Sequence, residues 1–166
     1  MTKEEQCTPV ELETVMQRYG NTVYRLAYAQ THSRADADDI YQEVFLRYFQ
    51  KRPVFESEEH RKAWLLRVTI NRAKSHVASA WFRYTVPLEE CTLFTEPEER
   101  RLDDALGKLR GGDRQLLHLF YYEQLSIREI ADLLKRKENT VRTQLTRARQ
   151  RLGKLLKGEM KDEESV

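Results

Sequence analysis

Apolar side chains recur every three or four positions along most of this chain, the spacing of amphipathic helices rather than the alternation of strands. Leu12, Val15, Met16, Tyr19, Val23, Leu26 and Ala27 form the first stripe. It begins at Thr8-Pro9-Val10-Glu11, which has the form of a capping box with proline at the first helical position, where a missing N–H costs nothing. A second helix is expected after Ser33, with Asp36, Asp38 and Asp39 in its first turns, where the helix dipole favours anions. It carries Ile40, Val44 and Phe45 inward and ends near Arg52-Pro53. Ser57 caps a third helix, which has Glu58 and Glu59 in its first turn. Trp64, Leu65, Val68 and Ile70 are its apolar contacts, and it runs to about residue 80.

Residues 84–98 break the pattern with Pro87, Pro97 and scattered acids, and read as a linker that reaches at most roughly 50 Å when extended. Helical spacing then resumes. Leu102, Ala105, Leu106 and Leu109 form one stripe, Gly111-Gly112 interrupts it, and Leu116, Leu117, Leu119 and Phe120 form the next. Ser126-Ile127-Arg128-Glu129 is a second capping box, opening a short helix with Ile130, Ala131, Leu133 and Leu134. After the polar turn Lys135-Arg136-Lys137-Glu138, a last helix is expected from Asn139 to Leu156, with Val141, Leu145, Ala148, Leu152 and Leu155 inward. No strand alternation or hairpin signal is present. The fold class expected is all-α: two small helical domains joined by an acidic linker.

Composition adds exclusions. The 166 residues include 29 Lys+Arg and 27 Asp+Glu, for a net charge of +2. No run of about 18 apolar residues occurs, so membrane insertion is not expected. Met1-Thr2-Lys3-Glu4-Glu5-Gln6 lacks the basic-then-apolar pattern of a signal peptide, so a cytoplasmic protein is expected. Cys7 and Cys91 are too few for a disulfide framework and read as reduced thiols.

Locating the charge changes the picture. Residues 1–60 carry −4, residues 61–84 carry +6, residues 85–99 carry −5, residues 100–157 carry +8 and residues 158–166 carry −3. A local field depends on local charge, so two basic blocks around an acidic spacer point to two nucleic-acid contacts.

The C-terminal contact has the form of a helix-turn-helix: a short capped helix, a turn and a longer helix. With Val141, Leu145 and Ala148 inward, Arg142, Thr143, Thr146, Arg147 and Arg149 fall on the outer arc. Arginine can bond guanine in bidentate fashion, and threonine offers a hydroxyl and a methyl group. Residues 135–157 hold nine basic groups and one acid, Glu138. A solvated, salt-bridged helix would need acidic partners that this segment lacks.

In the N-terminal half, Asp39, Gln42 and Glu43 share one helical face. Carboxylates at positions i and i+4 suit a metal pair, but no Glu-x-x-His accompanies them and His32 lies on another segment. A polar face that docks a basic protein surface fits better. The next helix combines Trp64, Arg67, Asn71, Arg72, Lys74 and His76, followed by Trp81, Phe82, Arg83 and Tyr84. Basic groups interleaved with aromatics suit single-stranded nucleic acid, where phosphates meet charges and unstacked bases meet rings. Asn71 is a poor helix former placed mid-helix, which calls for a reason.

Ala37-Asp38-Asp39-Ile40-Tyr41-Gln42-Glu43-Val44-Phe45 and Ala63-Trp64-Leu65-Leu66-Arg67-Val68-Thr69-Ile70-Asn71 resemble region two of bacterial sigma factors. Leu125-Ser126-Ile127-Arg128-Glu129-Ile130-Ala131 and Asn139-Thr140-Val141-Arg142-Thr143-Gln144-Leu145-Thr146-Arg147-Ala148-Arg149 resemble region four. With only an acidic linker between them, the chain is similar over nearly its whole length to the small extracytoplasmic function (ECF) sigma factors.

The resemblance implies a division of labour. Residues 1–84 form a region-2-like domain, 85–99 the linker, 100–158 a region-4-like domain and 159–166 an acidic tail. Asp39, Gln42, Glu43 and Phe45 sit where the family docks on the clamp helices of the RNA polymerase β′ subunit, and the β subunit is a further contact. Asn71, with Arg67, Lys74 and His76, sits where a flipped base of the melted −10 element is captured, in a pocket shaped by a loop from about Ser75 to Tyr84. Arg142, Thr143 and Thr146 sit where the −35 element is read, with Arg147 and Arg149 as phosphate contacts. Relatives are commonly held inactive by an anti-sigma factor, often membrane-bound.

The chain also departs from the family pattern. Ser75 stands where many relatives carry Asp, Ala78-Ser79-Ala80 replaces an arginine-rich run, and Leu109-Arg110-Gly111 replaces a Leu-Pro step. Lys137 stands at the usual Ser or Thr cap of the recognition helix, which leaves Asn139 as the expected cap. A stand-alone, dimeric helix-turn-helix regulator remains an alternative on the C-terminal residues alone. An enzyme is weakly supported: no catalytic grouping or cofactor is expected, and His32, His60, His76 and His118 form no ligand spacing.

Overall fold

Proline needs no hydrogen-bond partner at a helix start, and Pro9 opens α1 (Pro9–Thr31). The computed structural model describes residues 9–80 and 96–158, with side-chain environments over 11–76 and 96–158. Thr8, both cysteines, Trp81, Phe82, Arg83, Tyr84, most of the linker and the acidic tail lie outside the described residues. The chain divides into two compact units between Thr85 and Val86. Among the described residues every regular element is helical.

In the first unit, α1, α2 (Arg34–Lys51) and α3 (Glu58–Ala80) all pack against one another. The link from α1 to α2 takes two residues. His32 adopts a left-handed φ of 51° and its N–H returns to the Tyr28 carbonyl at 2.7 Å. Ser33 then caps α2, its hydroxyl accepting the Asp36 N–H at 3.3 Å. Arg52, at φ 46°, closes α2 by donating to the Tyr48 carbonyl. Ser57 caps α3 by accepting the His60 N–H at 3.2 Å.

The core is the set of inward stripes: Val15, Val23 and Ala27 from α1, Ile40, Val44, Phe45 and Tyr48 from α2, and Leu65 and Ala73 from α3. Each fully buried aliphatic side chain contributes about 1.5–3 kcal/mol by leaving water. Trp64 joins this core, meeting Tyr48 edge-on at 5.7 Å and Phe55 at 6.0 Å. Buried Thr69 satisfies its hydroxyl on the Leu65 carbonyl at 2.6 Å.

A polar knot ties α1 to the start of α3. Tyr19 donates to Glu58 Oε2 at 2.7 Å, and Arg18 and Arg61 stand 3.6 and 3.4 Å from the same carboxylate. The Tyr19 bond, helped by the two arginines, holds Glu58 below its ordinary 4.5. Burial, then the Glu58 bond, pushes the Tyr19 phenol above its ordinary 10.0. A carboxylate with a lowered folded pKa stabilises above its unfolded pKa and loses that contribution as pH falls through the folded value. Tyr19→Phe is therefore expected to lower Tm near neutrality and to match wild type in acid. Melts from about pH 7 down to about pH 3 test this; a pH-independent difference would contradict it.

The second unit comprises α4 (Pro97–Gly107), α5 (Gly111–Leu117), a π-helical turn (His118–Tyr122), α6 (Ile127–Leu134) and α7 (Glu138–Leu156). Two boundaries differ from the sequence expectation. Pro97, Glu98 and Glu99 form the first turn of α4 rather than the end of the linker, because proline and acids suit a helix N-terminus. Gly111 and Gly112 open α5 instead of separating two helices; the break lies at Lys108–Arg110. Buried Arg114 binds the α4 C-terminus, donating to the Leu106 carbonyl at 3.3 Å and to that of Leu109.

The π-helical turn has no counterpart in the sequence expectation. Glu123 N–H bonds the His118 carbonyl five residues back, at 3.0 Å, and Leu125 N–H bonds Leu119 O at 3.0 Å. The wider turn keeps Leu119 buried but leaves Tyr121 and Tyr122 53% and 50% exposed.

Candidate nucleic-acid interface

α6 and α7 form the helix-turn-helix. Ser126 caps α6 by accepting the Glu129 N–H at 3.1 Å, and Lys135 ends it at φ 55°. Only Arg136 and Lys137 then separate it from α7, and Arg136 Nη1 donates to Gln144 Oε1 at 2.8 Å, tying the turn to the second helix. Val141, Leu145 and Ala148 are buried, while Arg142, Thr143, Thr146, Arg147 and Arg149 are all exposed. The structure brings these five onto one surface.

The expected Asn139 cap is overturned. α7 begins at Glu138 with Lys137 at the cap position and no side-chain cap bond. Asn139 lies inside the helix, and its Oδ1 accepts from Arg142 Nη1 at 3.0 Å. That bond ties the guanidinium to the first turn of α7. Thr143 and Thr146 donate to the carbonyls of Asn139 and Arg142, each at 2.9 Å. Their hydroxyl protons are engaged, so what each presents outward is a methyl group and acceptor lone pairs. Arg151 is withdrawn from this surface, since it pairs with Asp113 at 2.9 Å.

On α3, Arg67, Asn71 and Lys74 are exposed and spaced i, i+4 and i+7, which makes one stripe. Ser75 donates back to the Asn71 carbonyl at 3.2 Å. His76 does not join the stripe. Its side chain is 13% exposed and turns towards α2, with Nδ1 3.4 Å from Asp36 Oδ1 and Nε2 3.7 Å from Asp39 Oδ2. Five residues beyond Asn71 the helix has rotated to the α2 side, so His76, expected with Arg67, Asn71 and Lys74, faces Asp36 and Asp39 instead.

On α2, Asp39, Gln42 and Glu43 are exposed together, but Phe45 is 3% exposed and belongs to the core. The helical period that placed Phe45 inward decides against its place on a docking face. Leu46, 56% exposed, continues the line of Asp39, Gln42 and Glu43. Its position seven residues after Asp39 was the sequence signal for it.

Asp36, Asp39 and His76 are the described donors grouped for a cation, within 4.8 Å of one another. Sequence spacing had offered Asp39 with Glu43 instead. The two carboxylates flank opposite nitrogens of the His76 ring. A groove of about 450 Å³ between α1 and α2 is lined by Met16, Gly20, Tyr24, Asp38 and Tyr41, among others. Gly20 makes room there, because a Cβ would lie 3.1 Å from the Tyr41 hydroxyl. Burial pushes that phenol above its ordinary pKa.

Comparison with known proteins agrees with this two-part architecture. Sigma-70 region 2 matches residues 15–83, and sigma-70 region 4 matches residues 99–152. The chain belongs to the sigma-70 family of RNA polymerase sigma factors, as a member of the ECF type. It is 28% identical over 152 residues to the ECF RNA polymerase sigma factor BldN of Streptomyces coelicolor, an alignment covering 84% of this chain and 58% of BldN. It is 26% identical over 159 residues to the RNA polymerase sigma-H factor of Pseudomonas aeruginosa, covering 84% and 82% of the two chains. Among solved structures, the fold resembles the sigma factor RpoE of Bartonella quintana, solved with the anti-sigma factor NepR. That match has a TM-score of 0.73 at 20% identity and covers 89% of this chain and 97% of that one. CnrH, solved with the cytosolic domain of CnrY, matches with a TM-score of 0.67 at 24% identity, covering 92% of each.

Proposed function

We propose that this protein is a promoter-specificity subunit of bacterial RNA polymerase: it binds the core enzyme and directs initiation at promoters with its own −10 and −35 elements. The observation that carries the reading is the pairing of two separate exposed surfaces. One is the Arg67–Asn71–Lys74 stripe on α3 and the other is the α7 surface of a helix-turn-helix. Single-strand capture and duplex readout need different chemistry, and each surface has one of the two sets.

In this reading residues 1–84 dock on polymerase through Asp39, Gln42 and Glu43, with Leu46 in the apolar role expected of Phe45, and hold a −10 base at Asn71. Residues 100–158 grip the −35 duplex. Arg142, oriented by Asn139, reads a base, Thr143 and Thr146 present methyl groups, and Arg147 and Arg149 hold phosphates. The acidic segment between the units suits a path through the basic nucleic-acid channel of the core enzyme. Bond formation stays with the polymerase; this chain supplies binding. An anti-sigma factor is proposed to hold it inactive in the cytoplasm or at the membrane, as NepR accompanies the structurally similar RpoE.

The test is run-off transcription by core polymerase, with and without the full chain, from a library of duplexes randomised around the start site. Transcription from a defined subset only when the protein is present is the expected result. Failure to associate with core, together with tight binding to a palindromic duplex by the protein alone, would mark a stand-alone regulator instead.

A further inference from the structure

The π-helical turn and the C-terminal half of α7 meet at one bond: Arg149 Nη1 donates to the Tyr121 hydroxyl oxygen at 3.2 Å. We infer that Tyr121 and Arg149 together form a two-donor seat for one phosphate of the DNA backbone, adding Tyr121 to the duplex-binding surface. The inference rests on the reading of α7 as the duplex-binding helix.

A phenol that accepts from a guanidinium keeps its own proton, so the pair presents the Tyr121 O–H and the remaining Arg149 N–H groups to solvent. An anionic oxygen between them would receive two charge-assisted or polar bonds. Arg149 is bonded to a neutral hydroxyl, and among the described residues it has no carboxylate partner. Its neighbour Arg151 shows the contrast, being neutralised by Asp113 at 2.9 Å. The charge of Arg149 is thus left for an anion from outside the unit.

The backbone holds Tyr121 in place at a cost. A π-helical turn is rare, and Gln124, which follows it, is held at a left-handed φ of 56° without being glycine. The Phe120 and Tyr121 rings meet edge to face, their centroids 5.0 Å apart at 83°. Half of Tyr121 nonetheless remains in water, so core packing does not account for its position.

Position along α7 agrees. Arg142, Thr146 and Arg149 are spaced i, i+4 and i+7, so the seat continues the line of reading residues about 10 Å further along the axis. A helix that enters the major groove by its N-terminal half passes the phosphate wall at about that distance. The surroundings favour an anion, with nine basic groups and one acid over residues 135–157.

The experiment measures binding of the full chain to a mixed-sequence duplex by fluorescence anisotropy across salt concentrations. It uses wild type, Tyr121→Phe, Arg149→Ala, the double variant and Tyr122→Phe as control. Tyr121→Phe is expected to weaken binding roughly threefold to tenfold, the worth of one hydrogen bond, whatever the duplex sequence. Arg149→Ala is expected to lower the logarithmic salt slope by about one. The double variant should match Arg149→Ala, and Tyr122→Phe should match wild type.

Several results would overturn the seat: no change in Tyr121→Phe, the same loss in Tyr122→Phe, or a loss that persists undiminished without Arg149. A Tyr121→Phe protein that binds duplex normally but loses core polymerase would make Tyr121 a protein contact and equally exclude the seat. If wild type binds no duplex even at low salt, the reading of α7 itself falls, which separates that failure from failure of the pairing alone.

Discussion

Asn71→Ala is expected to cut open-complex formation by roughly 10- to 100-fold, the cost of losing the readout of one base. Duplex binding through α7 should be kept. Asn71 lies exposed on α3, between Arg67 and Lys74, and its amide has both a donor and an acceptor for the edge of an unstacked base. Alanine removes that edge and nothing of the core, whose α3 members are Leu65, Leu66, Ile70 and Ala73. Alanine is also the better helix former, so the melting temperature should hold or rise slightly. The measurement is permanganate reactivity of thymines in the melted region alongside anisotropy on upstream duplex. Equal loss of both signals would contradict the separation of capture from duplex reading.

The second large effect is expected at the α2 face. Glu43→Lys should weaken association with core polymerase by roughly 100-fold, because like charges brought together at an interface cost several kcal/mol. Glu43 is exposed, and a surface substitution of this kind changes stability by only about 0.5 kcal/mol. Binding of the isolated protein to duplex DNA should persist, since the added positive charge does not oppose phosphate. Competition for core against a labelled sigma factor measures the first quantity and anisotropy the second. Unchanged competition would remove Glu43 from the docking face and shift attention to Leu46 and the groove between α1 and α2.

How much of this was legible in advance differs by residue. Inward positions followed from helical period alone: Ile40, Val44, Leu65, Val141, Leu145 and Ala148 are all buried. Ser33, Ser57 and Ser126 announced helix starts through a chemistry that acts within three residues, and each accepts the expected N–H. The exposed set on α7 was legible for the same reason, since a helix whose core face is known has its outer face determined.

The differences have separate causes. Phe45 was placed by resemblance on a docking face although its period pointed inward, and the period prevailed. His76 was grouped with its neighbours in sequence, but Asp36 and Asp39, some forty residues earlier, decide where its ring lies. Asn139 has the composition of a cap, yet α7 begins one residue before it, and its amide serves Arg142 instead.

From its sequence alone, then, this chain determined most of its helices, the serine caps of α2, α3 and α6, the segregation of its charge and the outer face of α7. Those depend on side-chain period and on groups a few residues apart. Tertiary structure alone decided that Arg149 meets Tyr121, that Asp113 pairs with Arg151 and that α2 brackets His76. Each of these joins residues 28 to 40 positions apart, and such pairings exist only once packing has chosen which faces meet.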